Sequence, residues 1–264
     1  MPGDDRIGAA ARRMFEDKRA KRNFAALPAD IGPRDLKEAY AVQDRLQDLV
    51  VPAEGPLAGW KIALTTPVMQ RMVGINHPCA GGIHANNVRH GRATLSAADY
   101  AQLAVEPEIA VRVGDELRAS GAPYDRAKVA RYVSACMAAI EIVDLRNVEY
   151  GKFDAVTLVA DNAMNRGCVL GAPVEPGRVA DLATLKGRMM LNGAVVGEGK
   201  GADALGHPLE ALAWIANNLV ERGRTLRAGQ VVLTGSIVAT KIPKVGDEVV
   251  VAIDGLGEAS LSVR

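Results

Sequence analysis

The sequence predicts an α+β protein whose larger part is a mixed or antiparallel curved sheet. Two observations carry this. Helical periodicity is concentrated in the first fifth of the chain, and beyond it short apolar runs of strand length follow one another between Gly, Pro, Asn and Asp without a regular strand–helix alternation.

In chain order, residues 4–22 pattern as a helix with Ile7, Ala11, Met14 and Phe15 on one face. Pro28 to Pro33 interrupts it, and a second helix is expected over 35–51, with Leu36, Ala39, Tyr40, Val42, Leu46 and Leu49 as its apolar positions. Asp35 followed by Glu38 resembles a capping box. Residues 52–56 close this helical N-terminal region, so two units are expected, 1–57 and 58–264. Strands are expected at 59–65, 103–113, 138–145, 189–196, 231–235 and 248–253. Helical patterns fall between them at 97–101, 125–132, 208–222 and 179–185.

At 264 residues, 48% hydrophobic and 24% charged, the chain has ample material for a core, built from aliphatic side chains because aromatics are only 4%. A formal net charge of +1 supplies no global field for nucleic acid or an anionic membrane, so neither is expected as a partner. Cys79, Cys136 and Cys168 form no CxxC pair, which points to inert thiols in a reducing compartment. Neither a signal-peptide core nor an apolar run of bilayer length is seen, and a soluble cytoplasmic protein is expected.

The most informative segment is Val105-Glu106-Pro107-Glu108-Ile109. Side chains alternate along a strand, so Glu106 and Glu108 share one face and repel each other unless positive charge lies between them. Glu141 lies in a second apolar run, Ala138 to Val143, where an unpaired carboxylate costs several kcal/mol in desolvation. Two readings remain open at this point. The three glutamates form an all-oxygen site for Mg²⁺ or Mn²⁺, or each is paired with one of the 32 Lys and Arg residues or faces solvent.

Gly59-Trp60-Lys61-Ile62-Ala63-Leu64-Thr65 resembles a segment of the 2-oxo-4-pentenoate hydratase and 4-oxalocrotonate decarboxylase family, in the fumarylacetoacetate hydrolase-like superfamily. Met69-Gln70, Glu106-x-Glu108, Glu141 to Asp144, Ala160 to Ala163, Leu205 to Trp214 and Leu233 to Ser236 resemble it in the same order. The resemblance implies a small α/β N-terminal region plus a mixed β-roll, and a Mg²⁺ or Mn²⁺ ion on Glu106, Glu108 and Glu141. It further implies a small 2-oxo or 2-hydroxydienoate acid from aromatic breakdown as substrate, and a homo-oligomer able to associate with a pathway partner enzyme. Acid–base chemistry is expected from Lys61, Asp161 and Glu198, and substrate binding from Ser236, Thr234 and Gln70.

The leading expectation is a hydratase adding water to a 2-hydroxy-2,4-dienoate. Alternatives are a 4-oxalocrotonate-type decarboxylase, a C–C bond hydrolase of a fumarylpyruvate-like diketone, and a catalytically silent metal-binding partner. One departure stands out: after Gly74-Ile75-Asn76-His77-Pro78, where the family pattern continues with Asp and Gly, this chain has Cys79-Ala80. His77, His84 and His90 have no zinc-ligand spacing, and Gly197 to Gly201 lacks the framing of a phosphate loop. His207, just before Pro208 at a helix start, reads as local packing or a helix cap. The basic cluster between Arg12 and Arg22 is interleaved with acids and reads as a solvated helix face.

Overall fold

The alternation read from the glutamate strand organises the molecule. The computed structural model describes residues 3–149 and 151–264. Its elements are α1 (Gly3–Arg19), α2 (Leu36–Glu54), β1 (Leu57–Ala63), α3 (Pro67–Met72), β2 (Cys79–His84), β3 (Val88–His90), β4 (Arg92–Leu95) and β5 (Leu103–Val113). These are followed by α4 (Arg126–Ala130), β6 (Val133–Asp144), α5 (Ala155–Ala160), β7 (Asn165–Leu170), β8 (Lys186–Leu191) and β9 (Ala194–Lys200). Then come α6 (Pro208–Glu221), β10 (Val231–Ser236), β11 (Glu248–Ile253) and β12 (Gly257–Val263).

The strands form two sheets. One has seven strands in the order β2-β1-β10-β5-β6-β7-β3, and the other five in the order β4-β12-β11-β8-β9. Both are mixed: β1–β10, β3–β7 and β4–β12 pair in parallel, the other pairs antiparallel. This is the expected α+β class with mixed sheets. Val105, Ile109 and Val111 of β5 and Ile140 and Ile142 of β6 join Val249, Val251 and Leu261 of the small sheet in one buried cluster. The face of β5 and β6 turned away from it carries Glu106, Glu108 and Glu141. Strand periodicity thus sends every second residue to the core and leaves the others for chemistry.

The helices α1 and α2 cover that second face. Ala10, Met14, Val42 and Leu46 pack in one cluster with Leu64, Val143, Leu158 and Met164. The ends differ slightly from expectation. α1 stops at Arg19 because Lys21 turns left-handed at φ 50°. α2 continues through Pro52 to Glu54, and the Gly55 amide (φ 76°) donates to the Val51 carbonyl at 2.9 Å. Only half of the capping box forms: Asp35 accepts from the Glu38 amide, but the Glu38 carboxylate accepts from the Arg34 amide and pairs with Arg6. The expected strand over 189–196 is instead two strands, β8 and β9. The left-handed pair Asn192 (φ 50°) and Gly193 (φ 80°) folds them into a hairpin. The expected helix at 97–101 is a single 3₁₀ turn, Ala97–Asp99, and that at 179–185 is Leu182–Thr184.

Candidate metal centre

Register places the acidic groups together. Glu106 on β5 lies directly opposite Glu141 on β6, and Glu108 is two residues along the same face. One carboxylate oxygen from each lies within 4.8 Å of the others. Lys61 comes from β1, which joins β5 through β10, and its Nζ is 3.2 Å from Glu141 Oε1. Glu108 and Glu141 are fully buried, and Glu106 is half-buried at the cavity wall.

Each carboxylate is held by a different neighbour. The Gly235 amide donates to Glu108 Oε2 at 2.6 Å, Asn165 Nδ2 donates to Glu141 Oε1 at 2.9 Å, and the Thr240 hydroxyl donates to Glu106 Oε1. Two oxygens, Glu108 Oε1 and Glu141 Oε2, are buried without a hydrogen-bond partner. Burial and the neighbouring Glu141 push the Glu108 carboxyl well above the ordinary range, and burial also raises Glu141, against the pull of Lys61. Burial alone would lower the Lys61 ammonium, but Glu141, Glu106 and Glu108 outweigh it and hold its pKa above the usual lysine value. One ammonium cannot balance three carboxylates. Converging orphaned oxygens and uncompensated negative charge fit a hard divalent cation with oxygen ligands.

The acidic cluster borders a cavity of about 370 Å³. Its polar lining comprises Lys61, Thr65, Thr66, Glu106, Asp203, Ser236 and Thr240, and its apolar lining includes Met69, Val143, Leu145, Phe153, Leu158 and Met164. Ser236 is on the wall, its hydroxyl donating to the Val238 carbonyl at 2.6 Å. Thr234 is buried behind it and donates to the Ile109 carbonyl. Gln70 is also buried and does not reach the wall. Its amide donates to the carbonyl of Leu64, a residue held left-handed at φ 61°, and so fixes the turn that carries Thr65 and Thr66.

Asp161 and Glu198 stand apart from the wall. Asp161 is fully buried between Lys18 (Nζ to Oδ2 3.0 Å) and the Arg146 guanidinium. Glu198 is exposed on β9, in a surface hollow with Lys186, Arg188, Lys200 and Asp254; Asp203 borders both this hollow and the cavity. Asn165, Thr240 and Asp203 were not singled out from sequence, and as common polar residues in loops and at strand ends they carried no signal that could have found them, whereas Gly235 lies in the segment Leu233 to Ser236 that carries the resemblance. His207 caps α6 by accepting from the Leu209 amide, and its other ring nitrogen lies 3.0 Å from Asp181. Cys79 opens β2 opposite Ala63 and is fully buried, and burial pushes its thiol up to about 12.

Comparison with known proteins agrees with this geometry. The family model described as fumarylacetoacetate (FAA) hydrolase C-terminal matches residues 79–264. A 2-keto-4-pentenoate hydratase of Paraburkholderia phymatum is 32% identical over 264 residues, 99% of each chain. One from Burkholderia vietnamiensis is 34% identical over 97% of each. The solved structure of 4-oxalocrotonate decarboxylase from Pseudomonas putida G7, complexed with magnesium and adipate, superposes with a TM-score of 0.91 at 27% identity, covering 99% of this chain and 98% of that one. The chain therefore belongs to the 2-keto-4-pentenoate hydratase and 4-oxalocrotonate decarboxylase family of the fumarylacetoacetate hydrolase-like superfamily.

Proposed function

We propose that this protein is a Mg²⁺- or Mn²⁺-dependent hydratase that adds water to a 2-hydroxy-2,4-dienoate, giving a 4-hydroxy-2-oxo acid. The observation that carries the reading is the trio of converging glutamates with two orphaned buried oxygens, set beside Lys61 at the edge of a cavity. The hydratase names of relatives that match nearly the whole chain support it.

Glu106, Glu108 and Glu141 would hold the cation, which supplies positive charge against the carboxylate and 2-oxygen of the acid. Lys61, keeping its proton well above neutral pH, acts as a fixed charge and hydrogen-bond donor on that same end. Ser236 and the Thr65–Thr66 hydroxyls orient the substrate carboxylate. The enol proton leaves O2 as C5 takes up a proton, which gives a conjugated 2-oxo acid. Water then adds its oxygen to C4 and its hydrogen to C3. We assign the water-orienting carboxylate to Asp203 on the cavity wall, because Asp161 is committed to Lys18 and Arg146 and Glu198 faces the neighbouring hollow. In this proposal Asp161 supports the Ala163–Met164 turn of the wall. Three buried free thiols support a cytoplasmic setting. Exposed Val68, Met72, Ile242 and Val245 support assembly into a homo-oligomer.

The test is purified protein with Mg²⁺ and 2-hydroxypenta-2,4-dienoate, followed by dienol absorbance and product mass. The expected result is loss of the dienol with matching gain of 4-hydroxy-2-oxopentanoate. Release of CO₂ from 4-oxalocrotonate with no consumption of the pentadienoate would replace the hydratase reading with the decarboxylase one.

A further inference from the structure

Between α5 and β7 the chain passes through a strained turn. Asn162, Ala163 and Met164 stand at φ 63°, 48° and 60°, and among the described residues no other run of left-handed non-glycine residues exceeds two. Asn tolerates this region, but in Ala and Met it brings Cβ too close to the following carbonyl oxygen. Strain of this kind persists only where the surroundings fix the backbone. All three residues are buried.

Two anchors fix it. Asp161, at the entry to the turn, is tied to Lys18 of α1 and to Arg146. Asn162 is clamped onto β2: its Oδ1 accepts from the Gly82 amide at 2.6 Å, and its Nδ2 donates to the Gly82 carbonyl at 2.9 Å. Gln47 of α2 donates to the same Oδ1 at 3.2 Å. The two backbones are pressed together, since a Cβ on Gly81 would lie 2.4 Å from the Asn162 carbonyl oxygen. That carbonyl accepts from the Asn165 amide, and the Asn165 side chain donates to Glu141 Oε1 at 2.9 Å. Asn165 is also the first residue of β7, and the ladder to β6 is irregular there, its register shifting between Ile142 and Val143.

Resting on the metal assignment above, we infer that Asn162 is a positioning residue for the metal centre: by holding the left-handed turn on Gly82 it sets Asn165, and through Asn165 the carboxylate of Glu141. The side chain of Asn162 is itself taken up by Gly82 and Gln47, so its influence on the glutamate runs along the chain rather than through a direct contact.

Asn162→Gly removes the clamp while still permitting the left-handed backbone. In calorimetric titration of the full chain, this variant should bind Mg²⁺ about tenfold more weakly, the lower end of what an outer partner of a metal ligand is worth. Because the effect runs through Asn165, the double variant Asn162→Gly/Asn165→Ala should bind no more weakly than Asn165→Ala alone. Asn162→Asp keeps an acceptor for the Gly82 amide, tolerates the same backbone and loses the donor, so it supplies the same comparison should the glycine variant not fold. A second readout needs no metal. In the NMR spectrum of the metal-free protein, the Asn165 side-chain amide signal, identified by its loss in Asn165→Ala, should move in either Asn162 variant. A lowered melting temperature with unchanged Mg²⁺ affinity would reduce the clamp to a fold contact and overturn the inference. Losses that multiply in the double variant, or an unmoved Asn165 signal, would overturn it too. Should the unaltered protein bind no Mg²⁺, the metal assignment falls, and the Asn165 signal alone decides whether Asn162 sets that side chain.

Discussion

Glu108 shows how a single residue can be costly in isolation and still suit the proposed metal-binding role. It is fully buried, one oxygen takes the Gly235 amide, and the other has no partner. Removing a carboxylate from a crowded acidic cluster relieves repulsion and desolvation, so Glu108→Ala should leave the melting temperature of the metal-free protein unchanged or raised. The same change should abolish turnover and weaken Mg²⁺ binding by more than the roughly 10–100-fold that losing an outer partner of a metal ligand costs. Asn165→Ala, which removes such a partner of Glu141, should fall inside that range. Calorimetric Mg²⁺ titration of both variants checks this, and full affinity in Glu108→Ala would remove the assigned centre. At this scale the acidic residues and Lys61 were readable because charge inside an apolar strand contradicts ordinary burial. The groups that hold them were not, since an Asn or Thr in a loop has no such contradiction to reveal it.

Among the elements, the end of β10 is the most constrained. The strand expected over 231–235 is observed as Val231–Ser236, and its register against β5 shifts between Leu233 and Ser236. Gly235 has φ 114°, and a Cβ there would lie 2.4 Å from Thr65 Cγ2. Gly235→Ala is therefore strained twice, in backbone and in packing, and should cost about 1–3 kcal/mol from the dihedral alone. It should also weaken Mg²⁺ binding, because the displaced amide is the one that orients Glu108. Urea denaturation and metal titration measure the two effects, and a stable variant with weakened binding would still locate the amide's role. Elsewhere the legible elements were those with a clean period: the strand 103–113 and the helix beginning at Pro208 were expected with nearly their observed bounds. β2 escaped because Gly81 and Gly82 dilute its strand signal. A Cβ at Gly81 would lie 2.4 Å from the Asn162 carbonyl oxygen, and one at Gly82 2.5 Å from Gln47 Nε2, so packing against distant residues requires glycine where local preference argues against a strand. The Asn192-Gly193 hairpin was missed for a different reason: continuous apolar character across 189–196 obscured a turn signal that was present.

For the molecule as a whole, the acidic centre couples stability to pH and, on the proposed assignment, to a cation. An unfolded glutamate titrates near 4.5; in the folded, metal-free chain burial with repulsion from Glu141 raises Glu108 above that, and burial with repulsion from Glu106 raises Glu141. Between the two values the folded state binds more protons than the unfolded one, so stability falls as pH rises through this window. Lys61 does not offset the trend. Its raised value lies above the ordinary 10.5, so its contribution is fully present throughout the acid and neutral range and is lost only in strong alkali. On the proposed assignment a divalent cation held by Glu106, Glu108 and Glu141 would reverse the slope, since it would bind the ionised carboxylates with an affinity that grows as they lose protons. At a cation concentration about 100 times Kd the stabilisation is about 2.7 kcal/mol, or about 5–10 °C in melting temperature for a chain of this size. Melting curves in chelator and in Mg²⁺, taken from about pH 5 to about pH 8, should therefore diverge as pH rises: the chelated protein loses stability while the loaded one holds or gains. Curves that stay parallel, or converge toward the alkaline side, would mean that the three carboxylates are balanced within the chain and that the cation is not what their burial requires.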